Sequence, residues 1–344
     1  MSETRAQGDD ARPRPRAPVH GTPTRGNRIV RDLRATTSTA GWRVAAIALA
    51  AFVAPPAAAQ EFRLALPLDC TLGETCDIQQ YVDADPGPGA RDYTGGFLAY
   101  DGHQGTDFRV PDLEAMAAGI PILAPAPGTV AGIRNSVPDG TFPEGQDCGN
   151  GLRIDHGGGW STQLCHFAQG SVTVTPGDRV ETGDVLGRMG MTGRTQFPHV
   201  HITVRRGDTV VDPFVEGLWS DPPDYAPGGL LSAGFSDAIP EFAAIRAGTA
   251  DAAELPVDAP ALVLWGQVFG GQTGDVVRLS ITGPDGRDVF ATEQVLERTQ
   301  ALLFRAGGRR LREARWRGGD YVGRVELDRD GTVIDAIETR IALR

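Results

Sequence analysis

From residue 96 onward the chain rarely goes ten residues without a glycine or proline, and between them it writes short stretches of alternating apolar and polar side chains. With 45 glycines and 25 prolines in 344 residues, the sequence has no room for long helices. It therefore predicts a mostly β protein built from many short antiparallel strands. "GTVAGIRN", "GLRIDHG", "STQLCHFA", "SVTVTPGD" and "VHITVRRGDTVVDP" are the clearest strands of the first half. The last reads as a hairpin, with Gly207-Asp208 as its tight turn.

The texture divides the chain further. Residues 1–59 are read as a leader and signal peptide. Arg43 precedes an apolar run of about ten residues that ends in "AAA", which puts the cleavage between Ala59 and Gln60 and the mature protein in the periplasm or outside the cell. Pro55 and Pro56 interrupt that run, and a membrane-spanning helix would need about twenty apolar residues. Residues 60–95 are turn-rich, with little capacity for a core, and are expected to lie over a groove as an inhibitory strap. Residues 96–219 hold the first set of strands. Residues 220–257, rich in Pro, Gly and Ala, read as a linker with a short helix around "IPEFAAIRAG". Residues 258–344 alternate regularly around "GPDG" and "RDG" turns, as about seven strands of a small immunoglobulin-like β-sandwich.

Charge and cysteine content narrow the function. A net charge of −11 argues against a nucleic-acid partner held through phosphates. Four cysteines fall into two sequence-near pairs, Cys70 with Cys76 and Cys148 with Cys165. Their uneven spacing lacks the paired knuckles of a structural zinc site and predicts two disulfides in an exported protein.

Among only six histidines, two stand one residue apart in "PHVHITV". On a strand His199 and His201 project from one face. Upstream, "YDGHQGTDFRV" places His103 and Asp107 four apart, but Gly102, Gly105 and Thr106 disfavour a helix there. A loop running into a strand could instead bring both to one ion. Two imidazole nitrogens and one carboxylate oxygen, with a fourth position for water, make up a catalytic zinc centre. His166, after Cys165 in "TQLCHFAQG", reads as the half-buried end of a strand. His156 in "IDHGGGW" suits a turn, and His20 lies in the leader.

In this order the motifs resemble the lysostaphin/LytM-type zinc metallopeptidases (peptidase family M-twenty-three, duplicated hybrid motif fold). "GLRIDHGGGWSTQLCHF" and "GDRVETGDVLGRMGMTGRT" are similar to that family's strand pair and glycine-rich connection, and the likeness runs from Tyr100 to Pro213. Two details depart from the family pattern: Cys165 replaces a usual aromatic residue, and Val200-His201-Ile202 a usual Leu-His-Phe. The resemblance implies that residues 96–219 are a zinc metallopeptidase domain holding one Zn2+ per chain on His103, Asp107 and His201. It further implies that His166 and His199 flank the metal-bound water, one as general base and the other steadying the oxyanion, with neither role assigned between them. Peptide bonds of peptidoglycan stem or cross-link peptides would be the substrate. Two other readings compete. A lipoyl-type carrier is excluded because the chain has no lysine to carry the cofactor. A non-catalytic regulator of cell-wall amidases on the same fold is the alternative; independently of that choice, the C-terminal sandwich is the expected place for a regulatory protein partner.

Overall fold

The computed structural model describes residues 61–344. The expected leader, the signal peptide with its cut at Ala59–Gln60, and His20 lie outside the described residues. The described chain is almost entirely β and falls within one unit, Ala58–Arg344.

Its first half consists of β1 (Asp77–Gln80), β2 (Thr106–Arg109), α1 (Leu113–Ala117), β3 (Pro121–Leu123), β4 (Gly128–Arg134), β5 (Asn150–Gly157), β6 (Trp160–Phe167), β7 (Arg179–Val180), β8 (Val185–Arg188), β9 (His199–Arg206) and β10 (Thr209–Val211). Eight of these strands form one antiparallel sheet in the order β1-β2-β9-β6-β5-β4-β7, with β10 paired to β9 across the predicted Gly207-Asp208 turn. β3 and β8 make a separate pair. One face of the large sheet is apolar: Phe108, Ile154, Leu164, Val200 and Ile202 are all 1% exposed or less and share one core. Burying a side chain of that size stabilises by roughly 1.5–3 kcal/mol, so the period-2 pattern of these strands fixes which face is left for polar groups.

The second half consists of β11 (Gly229–Ser236), α2 (Phe242–Ala247), β12 (Glu254–Leu255), β13 (Ala261–Gly271), β14 (Val276–Thr282), β15 (Asp288–Val295), β16 (Gln300–Arg310), β17 (Gly319–Arg329) and β18 (Thr332–Leu343). A three-stranded sheet, β11-β13-β16, faces a five-stranded sheet, β12-β18-β17-β14-β15, as a sandwich. All its pairings are antiparallel except the two-residue β12–β18 contact. Leu262, Leu264 and Phe235 from one sheet meet Val277, Leu279 and Val325 from the other.

Two segments differ from their sequence reading. The stretch 60–95 is no loose strap. Leu64, Leu68, Ile78 and Tyr81 are buried in the core of the first half, and β1 pairs with β2 at the sheet edge. Phe62, Leu64, Leu66 and Leu68 stand at every second position, and this short alternating run supplies core side chains within a segment otherwise rich in turn residues. The expected linker 220–257 contributes β11, whose Gly229–Ser236 pairs along β13, and Phe235 is fully buried in the sandwich. β13 explains why its neighbour is held so firmly. Its Leu262, Leu264 and Val268 enter the sandwich core while Phe269 enters the core of the first half, so the strand is buried on both faces. A short helix does fall in "IPEFAAIRAG", ending at Gly248 in the left-handed region.

Candidate metal centre

The register of β2 against β9 sets Asp107 directly opposite His201 and Arg109 opposite His199. Cross-strand partners project to the same face, so Asp107, His199 and His201 share the polar side of the sheet. His103 comes from the loop before β2. One ligand atom from each of His103, Asp107 and His201 can be chosen so that all three lie within 4.8 Å of one another. His103 Nε2 is 3.2 Å from Asp107 Oδ1 and 3.1 Å from His201 Nδ1, and His201 Nδ1 is 2.8 Å from Asp107 Oδ1. The donor-to-donor edge of a tetrahedral zinc site with bonds of about 2.0–2.1 Å is about 3.3 Å, so the three atoms are spaced as zinc ligands would be. Gly105 permits this approach, because a Cβ there would stand 2.5 Å from His201 Nε2 and from the Ile202 carbonyl oxygen.

The outer nitrogen of each imidazole decides what its inner nitrogen offers. His103 Nδ1 donates to the Tyr81 carbonyl at 2.6 Å, which leaves a lone pair on Nε2 toward the cluster. A lone pair on His201 Nδ1 needs the proton on Nε2, where the Thr203 hydroxyl stands 2.9 Å away to accept it. Burial opposes a charge on Asp107, but the surrounding imidazoles outweigh it and hold its carboxyl well below the usual range. The same carboxylate overcomes burial at His103 and raises its pKa.

His199 and His166 complete the pocket. His199 Nδ1 donates to the Phe197 carbonyl at 2.9 Å, and its Nε2 lies 3.5 Å from Asp107 Oδ1. His166 Nδ1 donates to the Thr192 carbonyl at 2.8 Å. The two rings are 4.5 Å apart, and His166 lies 6.2 Å from the ring of His201. Burial lowers the pKa of His199, and burial together with the neighbouring His199 and His201 pushes His166 down to about 3. Both are therefore neutral at ordinary pH, and with Nδ1 engaged each has its lone pair on Nε2.

His166 reaches this face by a local irregularity. Cys165 is in register with His201, so simple alternation would send His166 to the opposite face. The β5–β6 ladder instead pairs Asn150 with Phe167 and Gly151 with Cys165, which leaves His166 as an extra residue at φ 68°. Such a bulge re-aims a side chain. It is held by His166 N–H to the Cys148 carbonyl at 3.0 Å, next to the Cys148–Cys165 disulfide. The Cys70–Cys76 disulfide is also formed, just before β1.

The sequence reading thus names all five side chains that converge here. His156 stays outside, with Nδ1 on the Pro127 carbonyl and Nε2 on the Thr162 hydroxyl. Tyr81, Thr192, Phe197 and Thr203 were not singled out. Thr203 was legible, two residues beyond His201 on the same strand face; the other three act through backbone carbonyls, which no residue type advertises. A separate groove of about 740 Å3 is lined by residues that include Cys148, Gly149, Gly151, Arg153 and Gln163, with none of the five site side chains among them.

Known proteins share this segment. The sequence pattern of Peptidase family M23 matches residues 101–213. The cell division protein DipM of Caulobacter vibrioides is 34% identical over 119 residues, 34% of this chain and 18% of DipM. The peptidoglycan DD-endopeptidase ShyA of Vibrio cholerae is 32% identical over 99 residues, 29% of this chain and 19% of ShyA. The chain thus spans about a fifth of the length of these two relatives. Among solved structures, LytU is 25% identical, covering 43% of this chain and 87% of that one at a TM-score of 0.30. A zinc-containing peptidase from Vibrio cholerae is 24% identical, covering 47% and 40% at a TM-score of 0.32. Over residues 101–213 the chain carries a Peptidase family M23 domain.

Proposed function

We propose that this protein is an exported, zinc-dependent endopeptidase that hydrolyses peptide bonds in the stem or cross-link peptides of peptidoglycan. The observation that carries this reading is the convergence of His103, Asp107 and His201 beside two neutral imidazoles whose outer nitrogens are already engaged. ShyA, 32% identical over 99 residues, is named a peptidoglycan DD-endopeptidase, which supports the choice of substrate. Two disulfides favour a location outside the reducing cytoplasm.

His103, Asp107 and His201 would hold the metal. When bound, zinc supplies Lewis acidity toward the scissile carbonyl and toward water. The rest falls to the chain itself. His199 and His166 present Nε2 lone pairs to the reaction centre; one takes the proton of the attacking water and, as the imidazolium, returns it to the leaving amine. The carbonyls of Phe197 and Thr192 keep these rings in the required tautomer and orientation.

Metal content and muropeptide release from the wild type, His201→Ala and His199→Ala test this reading. His201→Ala should lose both zinc and release. His199→Ala should keep most of its zinc and release nothing above background. Release by both variants defeats the proposal, and a wild type that binds zinc yet releases nothing would be the non-catalytic regulator instead.

A further inference from the structure

Thirteen residues at one end of the sandwich, 305–317, carry Arg305, Arg309, Arg310, Arg312, Arg315 and Arg317 against a single acid, Glu313. The whole chain has a net charge of −11, so this strip opposes the sign of the molecule that bears it. It is also firmly built. Trp316, 8% exposed, donates from Nε1 to the Ala259 carbonyl at 2.8 Å and from its backbone N–H to the Val257 carbonyl at 2.7 Å. The Tyr321 hydroxyl donates to the Arg317 carbonyl at 2.9 Å. Across from this loop stands the β14–β15 turn, tied to it by Arg317 Nη1 and Asp285 Oδ2 at 2.9 Å.

Between turn and loop lies a cleft of about 410 Å3 whose lining includes Arg287, Arg309, Arg312, Arg315 and Arg317. Asp285, Asp288 and Glu313 line it too, so guanidinium groups outnumber carboxylates five to three. Asp285 is already taken by Arg317, with Arg287 at 4.0 Å. Among the described residues, the side chains of Arg309, Arg312 and Arg315 make no hydrogen bond or ion pair. Like charges gathered on a rigid frame repel one another until an anion enters. A guanidinium fork is suited to carboxylate or phosphate and is more weakly hydrated than an ammonium group.

We propose that this cleft is an anion-binding site that holds carboxylates of peptidoglycan stem peptides and so keeps the peptidase domain on its polymer. The choice of ligand rests on the proposed function, whereas the anion site stands on the cleft alone. The recessed shape suits single carboxylates better than a plane of lipid headgroups. No large apolar side chain is exposed on the loop 311–318 or the turn 283–286 to enter a bilayer. A carboxylate repeated along a polymer also lets a weak site act through avidity.

Co-sedimentation of the full chain with purified peptidoglycan sacculi tests the inference. Arg312→Ser/Arg315→Ser should weaken retention on the order of tenfold and flatten its salt dependence. Amidating the carboxyls of the sacculi should weaken wild-type retention to a similar degree. Both arginines are exposed, so the thermal midpoint should hold, and Arg312→Gln/Arg315→Gln is a second variant that keeps the side-chain length. The inference is overturned if the variants sediment like wild type, if amidated sacculi bind as well as untreated ones, or if the protein prefers phosphatidylglycerol vesicles. Retention without any cleavage would instead sink the proposed peptidase and leave the anion site standing.

Discussion

β9 of the first half and β14 of the sandwich are both inner strands with antiparallel neighbours, yet they bury opposite kinds of side chain. β14 alternates cleanly, with Val277, Leu279 and Ile281 inward and Val276, Arg278 and Ser280 toward the surface. β9 buries Val200, Ile202 and Val204 on one face and then encloses His199 and Thr203, with His201 partly covered, on the other. An unpartnered buried polar group costs about 1–3 kcal/mol. The first half meets that cost with one partner for each imidazole and leaves the second nitrogen turned inward. The sandwich buries fewer such groups and neutralises its buried carboxylates with arginines, Asp275 with Arg329 and Asp328 with Arg278, while several unpaired arginines collect at a surface loop. A buried polar face kept at such cost marks the place for chemistry, and a crowded exposed one marks a place for docking.

Four substitutions or deletions would break or sharpen this contrast. The largest effect is expected from Asp107→Ala, which removes the only carboxylate of the centre and leaves the four imidazoles of His103, His166, His199 and His201 facing one another. Bound zinc, read by elemental analysis, should fall to background together with hydrolysis, and a variant that still held one zinc per chain would dissolve the site. Next is a chain starting at Asp92, compared with one starting at Gln60. If residues 60–95 were an inhibitory strap, the shorter chain would be more active, and equal rates would already remove the idea. Because β1 and the Tyr81 carbonyl are part of the sheet and the site, it should instead lose activity, with a metal affinity weakened at least 10–100-fold.

Thr203→Val sharpens the comparison within one strand. It keeps shape but removes the acceptor for His201 Nε2, so zinc affinity in a competitive chelator titration should fall about 10–100-fold. An unchanged affinity would make Thr203 a passive filler. Smallest in its effect on turnover is Leu264→Ala in the sandwich. It should cost about 2–5 kcal/mol of unfolding free energy in denaturant melts and leave hydrolysis per folded molecule unaltered. A matching loss of turnover would mean that the two halves are more tightly linked than the contrast allows.

Much of the site was legible because its clues are local. His199 and His201 at i and i+2 share a strand face whatever the remainder of the fold does, and Gly105 between His103 and Asp107 signals close approach. His166 was legible as a residue and misread as a conformation. Alternation described it as a strand end, whereas a bulge at positive φ turns it into the pocket. The segments around the domains were read least well. The alternation of Phe62, Leu64, Leu66 and Leu68 was legible and passed over, whereas residues such as Ile78 and Phe235 become core only when another strand supplies the other side.

By itself, then, the sequence determined a turn-rich β protein, the faces of its strands and the residue types of a zinc centre, because period-2 geometry and donor chemistry are properties of a few neighbouring residues. Tertiary structure decided that His103 and His201, separated by 98 positions, stand 3.1 Å apart, that the Tyr81 carbonyl orients one of them, and that five arginines from two loops and the end of β16 line one cleft. Those outcomes depend on the register between strands distant in sequence, which the packing of the whole core selects and no local pattern encodes.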